Sequence, residues 1–110
     1  MRRANVYCRG VLAGVLSKDQ AGYCFQYVPE YLGKDSAGHP AISLSFPKQQ
    51  AAFVSPVLFP FFFGLLAEGE DKALQCRVLK IDETDPFTRL LRTCAAETVG
   101  GVTVREVVAP

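Results

Sequence analysis

The sequence predicts an α+β domain, an antiparallel meander sheet with about three helices packed on one face. Three observations carry this. β-prone runs separated by glycine turns fill Asn5–Val28, an apolar stripe at helical spacing runs from Phe87 to Cys94, and an alternating run, Val102–Val108, closes the chain. Strands first, helices next and one strand last is the order of an antiparallel sheet covered by helices, not of alternating βα units.

Asn5–Arg9 alternates Val6 and Cys8 against Tyr7 and Arg9, and Val11–Ser17 is nearly all apolar. Gly10 between them reads as a hairpin turn. Lys18–Gly22 is a second, polar turn, and Tyr23–Val28 alternates Tyr23, Phe25 and Tyr27 with Cys24, Gln26 and Val28 as a third strand. Pro29 suits the first position of a single helical turn, Pro29–Leu32, because its missing N–H has no intrahelical partner there. Gly33–Pro40 is a polar loop. Ala41–Phe46 alternates again, which predicts a half-buried strand with Ile42, Leu44 and Phe46 on one side and Ser43 and Ser45 on the other, ended by Pro47.

Pro60 opens a helix to about Leu66, with Gly64 and Gly69 limiting its length. Glu70–Lys80 is a second helical stretch, with Leu74 and Val78 at i and i+4 and with Ala73 and Cys76 alongside. In the third helix Asp85 caps, Pro86 sits at the first position, and Phe87, Leu90, Leu91 and Cys94 form one stripe. Arg89 and Arg92 lie off that stripe and are expected to face water.

A chain of 110 residues, 49% hydrophobic and 21% charged, has the size and composition of one soluble domain, residues 1–110. The formal net charge of +1 gives no broad field toward nucleic acid or an anionic membrane, so no direct nucleic-acid or membrane partner is expected. Val54–Leu66 is apolar but thirteen residues long and broken by Pro56 and Pro60, too short to span about 30 Å of bilayer as a helix. No apolar leader follows Arg2 and Arg3, and the expected location is the cytoplasm.

Cys8, Cys24, Cys76 and Cys94 stand far apart and His39 is the single histidine, a pattern that fits buried thiols rather than a zinc site or a disulfide framework. No cofactor is expected. GxGxxG and GxxxxGK[ST] loops are absent, and so are HRD and DFG runs. His39, in a Gly/Pro loop beside Asp35 and Ser36, reads as an exposed loop residue with no fixed triad, so no catalytic residue is assigned and the chain is not expected to be an enzyme. Glu68, Glu70 and Asp71 suit the positive N-terminal end of the following helix better than a metal. Tyr7, Tyr23, Phe25 and Tyr27 fit stacking platforms for RNA only if a basic surface accompanies them, and none is visible.

Phe59–Glu70, FPFFFGLLAEGE, is the most distinctive segment. It holds more aromatic surface than one short helix needs as an anchor. Either the run anchors the core, or part of it is kept for a partner.

Read in order, these residues resemble the N-terminal subdomain of HipA-type serine/threonine kinases, the toxins of HipA/HipB toxin–antitoxin systems. The matching features are Val6, Tyr7, Gly10, Gly14 and Leu16; Phe25, Tyr27, Tyr31 and Leu32; the Ile42–Pro47 run; Phe62, Phe63, Gly64, Leu65, Leu66, Ala67, Glu68, Gly69 and Glu70; and the Asp85–Leu91 helix. Ala67 stands where the family usually has proline. A chain ending at Pro110 resembles a free-standing version, similar to the HipS protein of tripartite HipB–HipS–HipT systems.

The resemblance implies a non-catalytic antitoxin or regulatory subunit that binds and neutralises a separate HipA-like (HipT-like) kinase. The alternative is a structural accessory subunit that assembles a kinase–repressor complex without inhibiting the kinase. A HipB-like helix-turn-helix repressor is the second partner the resemblance implies. It also gives the aromatic run a role. Phe61, Phe62, Phe63, Leu65 and Leu66 are expected to divide between core and partner contact, and Glu68 and Glu70 to meet basic groups around the kinase's nucleotide site.

Overall fold

A two-residue turn starts the fold. Arg9 and Gly10 both have positive φ, 53° and 82°, and they join Cys8 to Val11 across an antiparallel pair. Left-handed geometry at both central positions matches the twist of the flanking strands, which is why glycine follows Arg9 here. The computed structural model describes residues 2–33, 39–66, 69–94 and 101–107, without the side chains of residues 69 and 70.

The elements in order are β1 (Arg2–Cys8), β2 (Val11–Asp19), β3 (Gly22–Tyr27), α1 (Pro29–Leu32), β4 (Phe53–Ser55), α2 (Pro60–Phe63), α3 (Gly69–Leu79), α4 (Pro86–Thr93) and β5 (Val102–Glu106). The strands form one antiparallel sheet in the order β4-β3-β2-β1-β5. The α+β architecture is the one the sequence predicts, with four helices among the described residues in place of about three. Val108 lies outside the described residues.

At the second turn Asp19 Oδ1 accepts from the N–H groups of Ala21 and Gly22 at 2.8 and 3.1 Å. The β1–β2 register shifts between Val6 and Tyr7, leaving Ala13 between the pairs Val6–Gly14 and Tyr7–Leu12. Ala13 then offers its carbonyl to the Val28 N–H at 2.9 Å, which aims the chain into α1. A Cβ on Gly14 would lie 2.6 Å from the Gln26 carbonyl oxygen and 2.8 Å from the Phe25 ring, so only glycine fits there without displacement.

One face of the sheet is buried. Ala4, Val6, Leu16, Phe25 and Val104 are fully enclosed, and Cys8, Tyr23, Tyr27 and Val102 nearly so. Phe62 of α2 and Phe87, Leu90, Leu91 and Cys94 of α4 close over that face. Rings join the layers: Phe25–Phe62 centroids are 5.7 Å apart and Tyr23–Phe87 6.0 Å. The other face, with Asn5, Tyr7, Val15, Ser17 and Gln26, stays partly or fully open.

α4 begins as its sequence predicts. Asp85 Oδ1 accepts from the Thr88 N–H at 3.1 Å, its Oδ2 accepts from Thr88 Oγ1 at 2.7 Å, and Pro86 follows at the first turn. Arg2 braces this end, donating to Thr88 Oγ1 at 2.8 Å and to Glu106 Oε2 at 3.2 Å while lying over the Phe87 ring.

Five expectations are corrected. Ala41–Phe46 is a tight turn, not a strand, with one isolated bridge between Ser43 and Phe46. The groups a ladder would need are taken locally: the Ile42 N–H and the Phe46 carbonyl both bond the Tyr27 hydroxyl, and the Phe46 N–H bonds the Ser43 carbonyl. Leu44 therefore points into solvent. The edge strand is instead β4, which no alternation announces.

Arg89 is buried rather than facing water, because α4 sits deep enough to be enclosed beyond its apolar stripe. Leu74 and Val78 of α3 are 56% and 68% exposed, and Cys76 is the buried residue among the described side chains of that helix. His39 is half-buried, stacked on Tyr31 with centroids 4.5 Å apart. Finally, α2 is a single helical turn, after which Leu65 and Leu66 donate to Phe62 and Phe63 in tighter i→i+3 turns.

Candidate partner-binding surface

The aromatic run is sorted by the geometry of α2. Pro60 fixes φ at its start, and one helical turn sends neighbouring side chains in different directions. Phe62 points inward and is fully buried, with Phe25, Phe46, Phe59 and Phe61 rings 5.2–6.4 Å away. Leu66 is buried, while Phe61 and Leu65 are partly buried against the same core. Phe63 turns outward and is 47% exposed.

Phe63 does not stand alone. With Val57, Leu58, Pro60, Gly64 and Pro86 it lines an open groove of about 520 Å³ that contains no charged side chain. Val57 is 65% exposed. Sequence reasoning missed Val57, Pro60 and Pro86 as members of this surface. Pro86 in particular reaches it only because the start of α4 lies against α2, a tertiary fact with no local signal.

The run is also fastened to α4. The Cys94 thiol contacts the Leu65 carbonyl at 3.8 Å, and burial pushes this thiol above its ordinary pKa although the Thr93 hydroxyl and the Arg89 charge pull the other way. A protonated, buried thiol is a small apolar group with a weak donor, not a nucleophile.

Of the predicted contact residues, Phe61, Phe62, Phe63, Leu65 and Leu66 come together at α2, but among them Phe63 alone is exposed, with about half of its surface open. Glu68 and the side chain of Glu70 lie outside the described residues.

The side chains that could carry chemistry, among the described residues, do not assemble into a site. Among the described residues no three His, Cys, Asp or Glu side chains stand together as metal ligands. His39 Nδ1 has no hydrogen-bond partner among them. Its neighbours are Tyr31 and Lys48, whose ammonium donates to the His39 carbonyl at 2.7 Å. Tyr31 donates to the Pro40 carbonyl at 2.6 Å. Burial is the main cause of the raised pKa of both Tyr27 and Tyr31, with the neighbouring Cys8 thiol adding to it in each. These phenols hold the 39–46 segment in place as neutral donors. No helix among the described residues is long and apolar enough to cross a membrane.

Comparison with known proteins is consistent across sequence and structure. The family model described as the HipA N-terminal domain matches residues 4–105. An uncharacterized protein of Haemophilus influenzae is 36% identical over 106 residues, covering 96% of this chain and 93% of that protein. The solved N-terminal domain of HipA toxin superposes with a TM-score of 0.72 at 32% identity, over 100% of this chain and 96% of that one.

Proposed function

The chain belongs to the HipA N-terminal domain family, and on that premise we propose that it is a non-catalytic antitoxin or regulatory subunit that binds and neutralises a separate HipA-like serine/threonine kinase. The observation that carries this reading is Phe63. The fold uses Phe62 for its core and leaves the next phenylalanine of the same turn beside an uncharged groove. A phenylalanine held out of the core at 47% exposure forfeits part of the roughly 1.5–3 kcal/mol that full burial of such a side chain gives, and covering by a partner recovers it.

The Haemophilus relative supports a separate-subunit arrangement, since the match to this chain covers 93% of that protein's length. Inhibition then acts by holding the kinase's nucleotide site closed or misaligned. Glu68 and Glu70 add charge contacts to basic groups around that site, and the apolar contact at Phe63 supplies most of the affinity.

Co-expression tests the reading. When a HipA-like kinase from the same organism is induced, this protein restores growth. A passive accessory subunit binds the kinase without restoring growth, and failure to bind it at all removes the proposal. The double variant Glu68→Ala/Glu70→Ala weakens kinase binding without unfolding the protein. An unchanged affinity counts against the charge contacts alone.

A further inference from the structure

We propose that the Ser43–Phe46 turn is a second, preformed anchor of the same interface, with Leu44 entering an apolar pocket on the kinase-type partner. This rests on the reading of Phe63 as a kinase contact, and adds to it a residue far away in sequence.

Leu44 is 103% exposed, as open as a side chain can be. A single exposed leucine on a mobile loop needs no explanation. This one sits on a braced turn. The Phe46 ring packs against five phenylalanines, with Phe25 at 4.9 Å, Phe53 at 5.0, Phe59 at 5.1, Phe62 at 5.7 and Phe61 at 6.0. The Tyr27 hydroxyl accepts from the Ile42 N–H at 3.1 Å and donates to the Phe46 carbonyl, pinning both ends of the turn from inside. Across the tip the Phe46 N–H donates to the Ser43 carbonyl at 3.0 Å, and the Ser45 N–H donates to Ser43 Oγ at 3.2 Å.

The turn is over-determined from within, yet its tip residue contributes nothing to the fold. Holding an apolar side chain rigid before binding removes the ordering cost that a flexible loop would meet on association. Its chemistry also names the complement. The fully exposed leucine between two small hydroxyls, Ser43 and Ser45, which are 3.0 Å apart and bonded to each other, fits an apolar pocket with a polar rim.

The turn is continuous with the Phe63 groove. Ser45, Phe46 and Pro60 line one depression, and Pro60 and Phe63 line the next, so a partner seated on Phe63 passes Pro60 to reach the turn. That continuity assigns Leu44 to the kinase-type partner rather than to a second copy of this chain.

The test is a titration of the HipA-like kinase with the wild-type protein, Leu44→Ala, Leu44→Asp, Leu44→Met and Phe63→Ala, with thermal melting and sedimentation alongside. Truncation at an interface anchor predicts a Kd weaker by about tenfold or more for Leu44→Ala, more again for Leu44→Asp, and near wild type for Leu44→Met. Because Leu44 touches nothing in the fold, every Leu44 variant melts at the wild-type temperature. If Phe63→Ala weakens binding and Leu44→Asp binds within about twofold of wild type, the second anchor is overturned and the kinase reading stands. If the wild type does not bind the kinase, both fall. Loss of self-association in Leu44→Asp with kinase affinity retained also overturns the assignment.

Discussion

α2 has four residues and α3 eleven, yet the short helix is the better anchored of the two. Phe62 and the flanking Phe59 and Leu66 enter the core cluster, while α3 buries Cys76 outside that cluster and turns Leu74 and Val78 to solvent. The difference shows what apolar spacing does and does not decide. Leu74 and Val78 are correctly spaced for one face, but no layer of the fold lies under that face. An isolated helix of this length is marginal in water, and the end of α3 is closed locally: Lys80 takes the left-handed conformation and the Ile81 N–H donates back to the Cys76 carbonyl at 2.8 Å.

The contrast is broken most directly at Phe62. Phe62→Ala removes a ring at the centre of the aromatic cluster and is expected to cost about 3–5 kcal/mol in urea unfolding. A loss under about 1 kcal/mol would show that α2 is no anchor. A smaller effect is expected at the start of α4. Asp85→Ala removes a cap that bonds both the N–H and the hydroxyl of Thr88, and is expected to cost about 1 kcal/mol by the same measurement.

Titration probes the anchored side from another direction. Tyr27 and Tyr31 are raised above their ordinary value chiefly because burial disfavours the phenolate. The neutral form is therefore the one the fold prefers. Their contribution to stability is whole below a pH of about 10 and is lost as pH rises toward the folded-state values. At the acid end, burial alone would raise the Asp85 pKa, but the bonds from Thr88 and the charges of Lys18 and Arg2 outweigh it and hold the carboxyl low. Asp85 therefore contributes fully above a pH of about 4, and its contribution is lost as pH falls below that. Melting temperature against pH in Tyr27→Phe, Tyr31→Phe and Asp85→Asn checks both limbs: the matching limb flattens in each variant.

The smallest effect is expected on α3. Leu74→Ser with Val78→Ser changes stability within about 0.5 kcal/mol per site, because both side chains already face water. Hydrogen exchange sharpens the comparison, with α3 amides exchanging faster than those of α4, whose stripe is buried from Phe87 to Cys94.

Local chemistry made much of the fold legible. The Arg9–Gly10 turn, the alternation of Tyr23, Phe25 and Tyr27, and the Asp85–Pro86 start of α4 each follow from residues next to one another. The misreadings were decided by distant partners. Alternation in Ala41–Phe46 is real, but the Tyr27 hydroxyl captures the backbone groups a strand would use. Arg89 falls off the apolar stripe, and the depth of α4 encloses it all the same. The candidate surface was half legible. The aromatic run stands out in sequence, but which phenylalanine faces outward depends on the single turn of α2, and the contribution of Pro86 depends on how α4 meets it.

Calorimetric titration of a HipA-like kinase with the wild-type protein and Phe63→Ala tests the central claim most directly. The account predicts binding by the wild type and a Kd weaker by about tenfold or more in the variant, which stays folded. Equal affinity of the two proteins, or no binding by either, would contradict it.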